Sequence, residues 1–435
     1  MIDIMIFLKS LSEFLTKSQL KNLTEIILAM LCMSGNKTML NISRWTKVSY
    51  KTVQRLYNES IPWIDIRLRL FIKFSFNNQF LTGNIDETIV TKSGKKTHGL
   101  DNFFSSLYQK VTKGLCFSCL SIIAPDTLDS FPLLVNKLVF TPEEKEEQKA
   151  KKEAKKKGKN KVGRPKGSKN GKTKTLAPTF RLVKEQLAES SEILKYKLNI
   201  KHLVGDGFYG NKTFIAICEY FGFYLISKAQ YNANLYFCYQ GTYSGHGRPC
   251  IYGKKIDLEN LKDKYLIREF EEKGTLIKEY QIECMHKTFQ RKINAVIIVK
   301  ENRKTKKYSR AILFSTDLSL SADEIMRYYS ARFQIEFNFR DAKEFWGLED
   351  FMNVKDKPIE NAVNFSFFMV GFSKIILRHF RKKENNSFLG IRDLISAYRA
   401  DKYISETLKL VRKFHPDILI PDVFDKSSVL GRIHV

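Results

Sequence analysis

Apolar residues recur at helical spacing through the first 75 residues, in MIFLKSLSEFL (5–15) and SQLKNLTEIILAMLCM (18–33). In the segment 37–60, Ile42, Trp45, Val48, Val53 and Leu56 can all face inward. Thr46–Ser49 then reads as a tight turn, with Ser49 capping a short second helix. That helix would turn Tyr50, Lys51, Gln54, Arg55 and Asn58 outward. Long polar side chains on the outer face of the second helix are what major-groove readout needs, and a helix-turn-helix is expected. An ordinary helical hairpin has the same pattern.

The period changes after Leu81. Asn84–Val90 reads as a strand, Lys92–Lys96 around Gly94 as a turn, and Lys113–Ile123 and Phe131–Phe140 as two further strands. Three closely spaced strands predict an antiparallel meander. Phe180–Leu198 then reads as a helix, followed by strand His202–Phe208, helix Lys212–Tyr220 and strand Phe223–Ser227, a β-α-β unit. Residues 229–310 are strand-patterned (TLIKEYQIECM, INAVIIVK), are punctuated by glycines between 245 and 253, and predict an all-β insertion. Ser321 begins the last major segment, with Glu324 completing a capping box. Neither Pro nor Gly follows before Gly347, so one long helix is predicted, apolar on most faces and buried all round. The C-terminal residues 356–435 read as helical, with Pro358–Leu377 packing back on the core.

Charge changes the picture. The 435 residues carry a formal net charge of +28, the footprint of a polyanion partner. Much of it lies between 143 and 177, where Lys155–Lys174 is almost wholly basic and has no large apolar residue beyond Val162. A disordered surface loop is expected there. Within it, Gly163-Arg164-Pro165-Lys166-Gly167 is AT-hook-like, so Arg164 and Lys166 are candidates for a narrow minor groove; a generic polycation that adds phosphate affinity is the alternative. No signal peptide is read at the N-terminus and no span in the apolar run 362–377, so no membrane role is expected. Seven scattered cysteines fit a reducing compartment, and Cys116-x2-Cys119, without a second pair, reads as core packing.

The candidate chemistry is carboxylate chemistry. Asp86 falls mid-strand and Asp206 at a strand end, each in apolar surroundings where an unpaired charge is costly. On the long helix, Tyr329, Arg332, Glu336 and Lys343 share an arc of roughly 60° and a stripe about 20 Å long. Surface ion pairs would also explain that stripe. Three carboxylates from two strands and a helix could hold two Mg²⁺ ions across a scissile phosphate.

The spacing Tyr329-x2-Arg332-x3-Glu336-x6-Lys343 resembles the signature of DDE transposases of the "insertion sequence 4" family. Asp86-Glu87-Thr88 and Asp206-Gly207-Phe208-Tyr209 are similar to the blocks around that family's first and second aspartates. The resemblance spans roughly residues 20–350. One departure is Glu87, where relatives often carry Asp. It implies an α/β protein with an RNase H-like mixed-sheet core (76–228 and 311–355), a β-rich insertion (229–310) and an N-terminal helical DNA-binding domain (1–75). It also implies Asp86, Asp206 and Glu336 as metal-binding catalytic residues. Tyr329, Arg332 and Lys343 would hold DNA phosphates, and Lys51, Gln54 and Arg55 would read the DNA. The implied cofactor is Mg²⁺, two ions, with Mn²⁺ able to substitute. The implied partners are double-stranded transposon-end and target DNA and a second copy of the chain, in a prokaryotic, nucleoid-associated cytoplasmic setting. The function implied is cut-and-paste transposition at terminal inverted repeats. A non-catalytic domesticated DNA-binding protein and a hydrolytic nuclease on the same fold are the alternatives.

Overall fold

The computed structural model describes residues 2–75, 79–105, 109–156, 176–243, 245, 247 and 249–411. Five helices open the chain: α1 (Met5–Leu8), α2 (Lys17–Cys32), α3 (Met39–Trp45), α4 (Tyr50–Asn58) and α5 (Trp63–Phe74). Side chains that bond the first free amides start three of them: Thr16 for α2, in a capping box with Gln19, Thr38 for α3 and Ser49 for α4. The turn between α3 and α4 spans residues 46–49; Ile42, Val53 and Leu56 are buried beneath it.

Next come β1 (Thr82–Thr91), β2 (Asp101–Ser105), β3 (Lys110–Ala124), β4 (Asp129–Leu138), α6 (Pro142–Lys156) and α7 (Pro178–Glu192). They are followed by β5 (His202–Val204), α8 (Lys212–Tyr220) and β6 (Tyr224–Ala229). β3 lies antiparallel between β1 and β4, while β5 joins β1 and β6 in parallel. The added strand β2 pairs with the outer end of β3, so the expected meander carries one more strand than its three apolar runs. DNFFS is short and polar at its start, so it carries no strand pattern of its own.

The expected strand 202–208 stops at Val204. At Gly205 the chain turns back so tightly that an added Cβ would lie 2.6 Å from that of Tyr209. The stretch 143–156, expected as the start of a disordered loop, is helical. Thr141 and Glu144 form a reciprocal cap at its start, and Arg181 of α7 pairs with Glu144 at 3.0 Å. Arg164 and Lys166 lie outside the described residues.

The insertion comprises β7 (Leu235–Cys238), β8 (Tyr252–Lys255), β9 (Leu266–Glu272), β10 (Thr275–His286), β11 (Arg291–Asn302) and β12 (Tyr308–Ser315). It is strand-rich as expected, but it does not stand apart from the core sheet. β12 pairs with β6, and one sheet runs in the order β2-β3-β1-β5-β6-β12-β11-β10-β7-β8, with β4 against β3 and β9 against β10.

The expected long helix is two, α9 (Ala322–Ala331) and α10 (Gln334–Glu344). The amides of Arg332 and Phe333 reach back only three residues, to Tyr329 and Ser330, both at 3.3 Å. α9 packs on β6, β11 and β12, whereas α10 packs on β1, β3, β4 and α11 (Asp356–Lys383). A straight rod would not follow a twisted sheet across that span, so the bend has a tertiary cause. Nor is the pair buried all round: Phe333 is 48% exposed, and Arg340 and Glu344 face solvent.

The N-terminal helices are not a separate unit. Trp63 Nε1 donates to Asn361 of α11 at 2.8 Å, Tyr57 stacks on Phe365, and one hydrophobic core unites α2–α5, the sheet, α11 and α12 (Ile391–Val411).

Candidate active site

Asp86 lies in the middle of β1, with Cys119 of β3 as its neighbour across the ladder. Because strand side chains alternate, Asp86 faces α10 and Glu87 faces the opposite side of the sheet. The bend between α9 and α10 delivers Arg332 to Asp86. Its Nη1 donates to Asp86 Oδ2 at 3.2 Å, and its Nη2 donates to Glu336 Oε1 at 3.5 Å. One guanidinium therefore bridges a strand carboxylate and a helix carboxylate. Tyr329 lies beside it, with its ring centre 5.8 Å from the guanidinium carbon.

Asp206 occupies the turn after β5, where its Oδ1 accepts the Phe208 amide at 2.9 Å. Its charge is felt at Asp86, Glu87 and Tyr329. Burial above all, with Asp206 and Glu336 adding to it and the Glu87 amide and Arg332 opposing, raises Asp86 to about 6. Burial likewise raises Glu87 to about 7 against the Tyr209 hydroxyl that bonds it, with Asp86 and Asp206 adding to the rise. Asp86 thus shares one electrostatic neighbourhood with Glu87, Asp206 and Glu336, and the Arg332 guanidinium bridges Asp86 and Glu336.

Among the described residues no three His, Cys, Asp or Glu groups stand close enough together to hold a metal as they are. The donor set nevertheless fits a divalent cation in kind: hard carboxylate oxygens, partly buried and mutually repelling, with Arg332 as the present counter-charge.

The remaining sequence candidates divide. Lys343 is tied elsewhere: its Nζ donates to the Ile89 carbonyl at 2.9 Å and pairs with Glu349 at 3.1 Å. Ile89 is three residues along β1 from Asp86, roughly 10 Å away. Lys51, Gln54 and Arg55 are exposed on α4. His202 is buried against Asp317 at 2.8 Å, and His98 pairs with Asp356. Cys116 and Cys119 are buried free thiols on β3, and burial pushes Cys119 to about 12.

The sequence reading missed a pair. Tyr209, fully buried, donates its hydroxyl to Glu87 Oε1 at 2.6 Å. Period-two alternation was the available signal, because an acid beside Asp86 has to enter the face covered by α7 and α8, where it needs a donor.

This mixed sheet flanked by helices, with Asp86 on β1 beside Asp206 in the turn after the neighbouring β5, is consistent with an RNase H-like core. The family model described as DDE superfamily endonuclease matches residues 9–281, more than half of the 435-residue chain, and the chain belongs to that family. The match contains Asp86 and Asp206 and ends before Glu336. No curated protein matches the chain. Membership supports a nuclease or transposase activity in general terms, with DNA as the substrate. No helix among the described residues is long and apolar enough to cross a membrane.

Proposed function

We propose that the chain is a DNA transposase of the "insertion sequence 4" kind, which cuts the ends of a mobile element and joins them to target DNA. The observation that carries this reading is the Arg332 bridge, which gathers Asp86 and Glu336 from distant parts of the chain into the field of Asp206. Asp86, Asp206 and Glu336 would hold two Mg²⁺ ions, or Mn²⁺ in their place. Bound there, the cations would activate the attacking water or 3′-hydroxyl and neutralise charge on the phosphate.

Arg332, which bridges Asp86 and Glu336, would be placed to grip phosphate oxygens in a two-pronged way once its carboxylate partners are otherwise neutralised. Tyr329 adds a hydroxyl donor beside it. Lys343, held at Ile89 and Glu349, would contact DNA farther along β1 than the acids. Lys51, Gln54 and Arg55 on α4 would read the terminal repeats, and Arg164 and Lys166 would add minor-groove or phosphate contact. Synapsis of two ends would require a homodimer.

The test is incubation of the protein with DNA flanking its gene, a target plasmid and Mg²⁺. Cleaved ends covalently joined to plasmid, absent with Asp206→Asn, support transposition. Nicked DNA without joined products supports a hydrolytic nuclease and contradicts the reading.

A further inference from the structure

Asp206 sits in a turn, and β5, the strand that leads to it, is only three residues long. A loop carboxylate needs an external hold if it is to keep station against Asp86 on β1. Two contacts supply one, from the strands on either side of β5. From β6, the Ser227 hydroxyl donates to the Asp206 carbonyl at 2.6 Å. From β1, Glu87 Oε1 accepts the Tyr209 hydroxyl at 2.6 Å, and Tyr209 in turn donates its amide to the Asp206 carbonyl at 3.1 Å.

Tyr209 has little freedom of its own. Its ring lies 4.8 Å from Phe214 and 6.2 Å from Phe180, centre to centre, and it is wholly buried. Two glycines allow this fit. A Cβ on Gly205 would strike Tyr209 at 2.6 Å, and a Cβ on Gly210 would meet the Lys228 carbonyl at 2.3 Å. The turn is therefore pressed against β6 on one side and bonded to β1 on the other.

We propose that Glu87 and Tyr209 are positioning residues that hold Asp206 in register with Asp86 from the far face of the sheet. This assignment rests on the reading of Asp86 and Asp206 as partners in one site. Glu87 does not face the substrate side in this account. It acts through the tyrosine hydroxyl, which links the residue after the first aspartate to the turn carrying the second. A buried hydrogen bond of this kind is strong enough for its loss to change a rate about tenfold.

The experiment compares wild type, Tyr209→Phe, Glu87→Gln, Glu87→Ala and the double variant Glu87→Gln/Tyr209→Phe. The readouts are Mg²⁺-dependent cleavage of gene-flanking DNA, Mn²⁺ binding followed by electron paramagnetic resonance, and thermal unfolding. Tyr209→Phe is expected to lower the cleavage rate and weaken Mn²⁺ binding about tenfold, with kcat falling and KM for DNA unchanged. Glu87→Gln, which keeps an acceptor for the hydroxyl, should lose clearly less than Glu87→Ala. The double variant should be no worse than Tyr209→Phe alone.

Two results would overturn the proposal. One is Tyr209→Phe that unfolds at a lower temperature yet cleaves and binds Mn²⁺ as wild type does, which makes the bond merely structural. The other is Glu87→Gln as damaging as Glu87→Ala together with a fully additive double variant, which makes Glu87 act directly. Wild-type protein that cleaves no DNA with any divalent cation would instead refute the functional reading itself.

Discussion

Arg332 and Asp86 form an ion pair at 3.2 Å, with both side chains mostly shielded from solvent at 14% and 20% exposure. The pair exists because α9 and α10 meet at a bend, and the arginine is the bend residue that reaches β1. Removing the guanidinium would leave Asp86 beside Asp206 and Glu336 with no counter-charge.

Arg332→Ala should therefore destabilise the protein by about 1–2 kcal/mol in a chelating buffer. Millimolar Mg²⁺ should recover most of that loss, because cations then neutralise the same acids. Urea unfolding with and without Mg²⁺ measures this. Equal destabilisation in both buffers would mean that Arg332 serves the fold alone.

A second prediction concerns pH. His286 on β10 is buried, its ring lies 3.5 Å from that of Phe289, and its Nδ1 accepts the Phe289 amide at 3.2 Å. Burial lowers its pKa from 6.5 to about 4. The unfolded chain therefore takes up this proton first as the pH falls. Stability from this site is complete above pH 7 and is lost between about 6.5 and 4, reaching about 1–2 kcal/mol at pH 5. His286→Asn, which keeps an acceptor but cannot titrate, should flatten that part of the stability profile. An unchanged profile would exclude His286 as its source.

Much of this arrangement was legible because its causes are local. Ser321 and Glu324 form the expected reciprocal cap, with the Ser321 amide donating to Glu324 at 2.8 Å, and α8 runs over Lys212–Tyr220 as its spacing predicts. The strand containing Asp86 also lies where its apolar flanks put it, whereas Asp206, expected at a strand end, sits in the turn after β5. What escaped depends on distant partners. The bend at Arg332 follows from two halves of a helix resting on different strands. Helical arithmetic on a straight rod puts Lys343 on the face of Glu336, but the carbonyl of Ile89 captures it. The union of β12 with β6 is a long-range pairing with no local mark. The helix at Pro142–Lys156 is a different case, since Thr141 and Glu144 spelled a capping box that its charge obscured.

The outward face of α4 offers a third test. If Lys51 and Arg55 meet phosphates, Lys51→Ala and Arg55→Ala should each reduce the salt dependence of duplex binding by about one unit of slope. Gln54→Ala should leave the slope unchanged while lowering discrimination between sequences. Fluorescence anisotropy across a salt series reads both. Slopes identical to wild type in all three variants would take α4 out of the DNA interface.

The central claim is that Asp86, Asp206 and Glu336 surround one metal site. Replacing Mg²⁺ with Fe²⁺ and generating hydroxyl radicals cuts the polypeptide wherever the metal resides, with no substrate required. The account predicts three cut regions, next to residues 86, 206 and 336, all suppressed by excess Mg²⁺ and lost in Asp86→Ala. Cuts confined to one of the three, or cuts elsewhere that Mg²⁺ does not suppress, would contradict it.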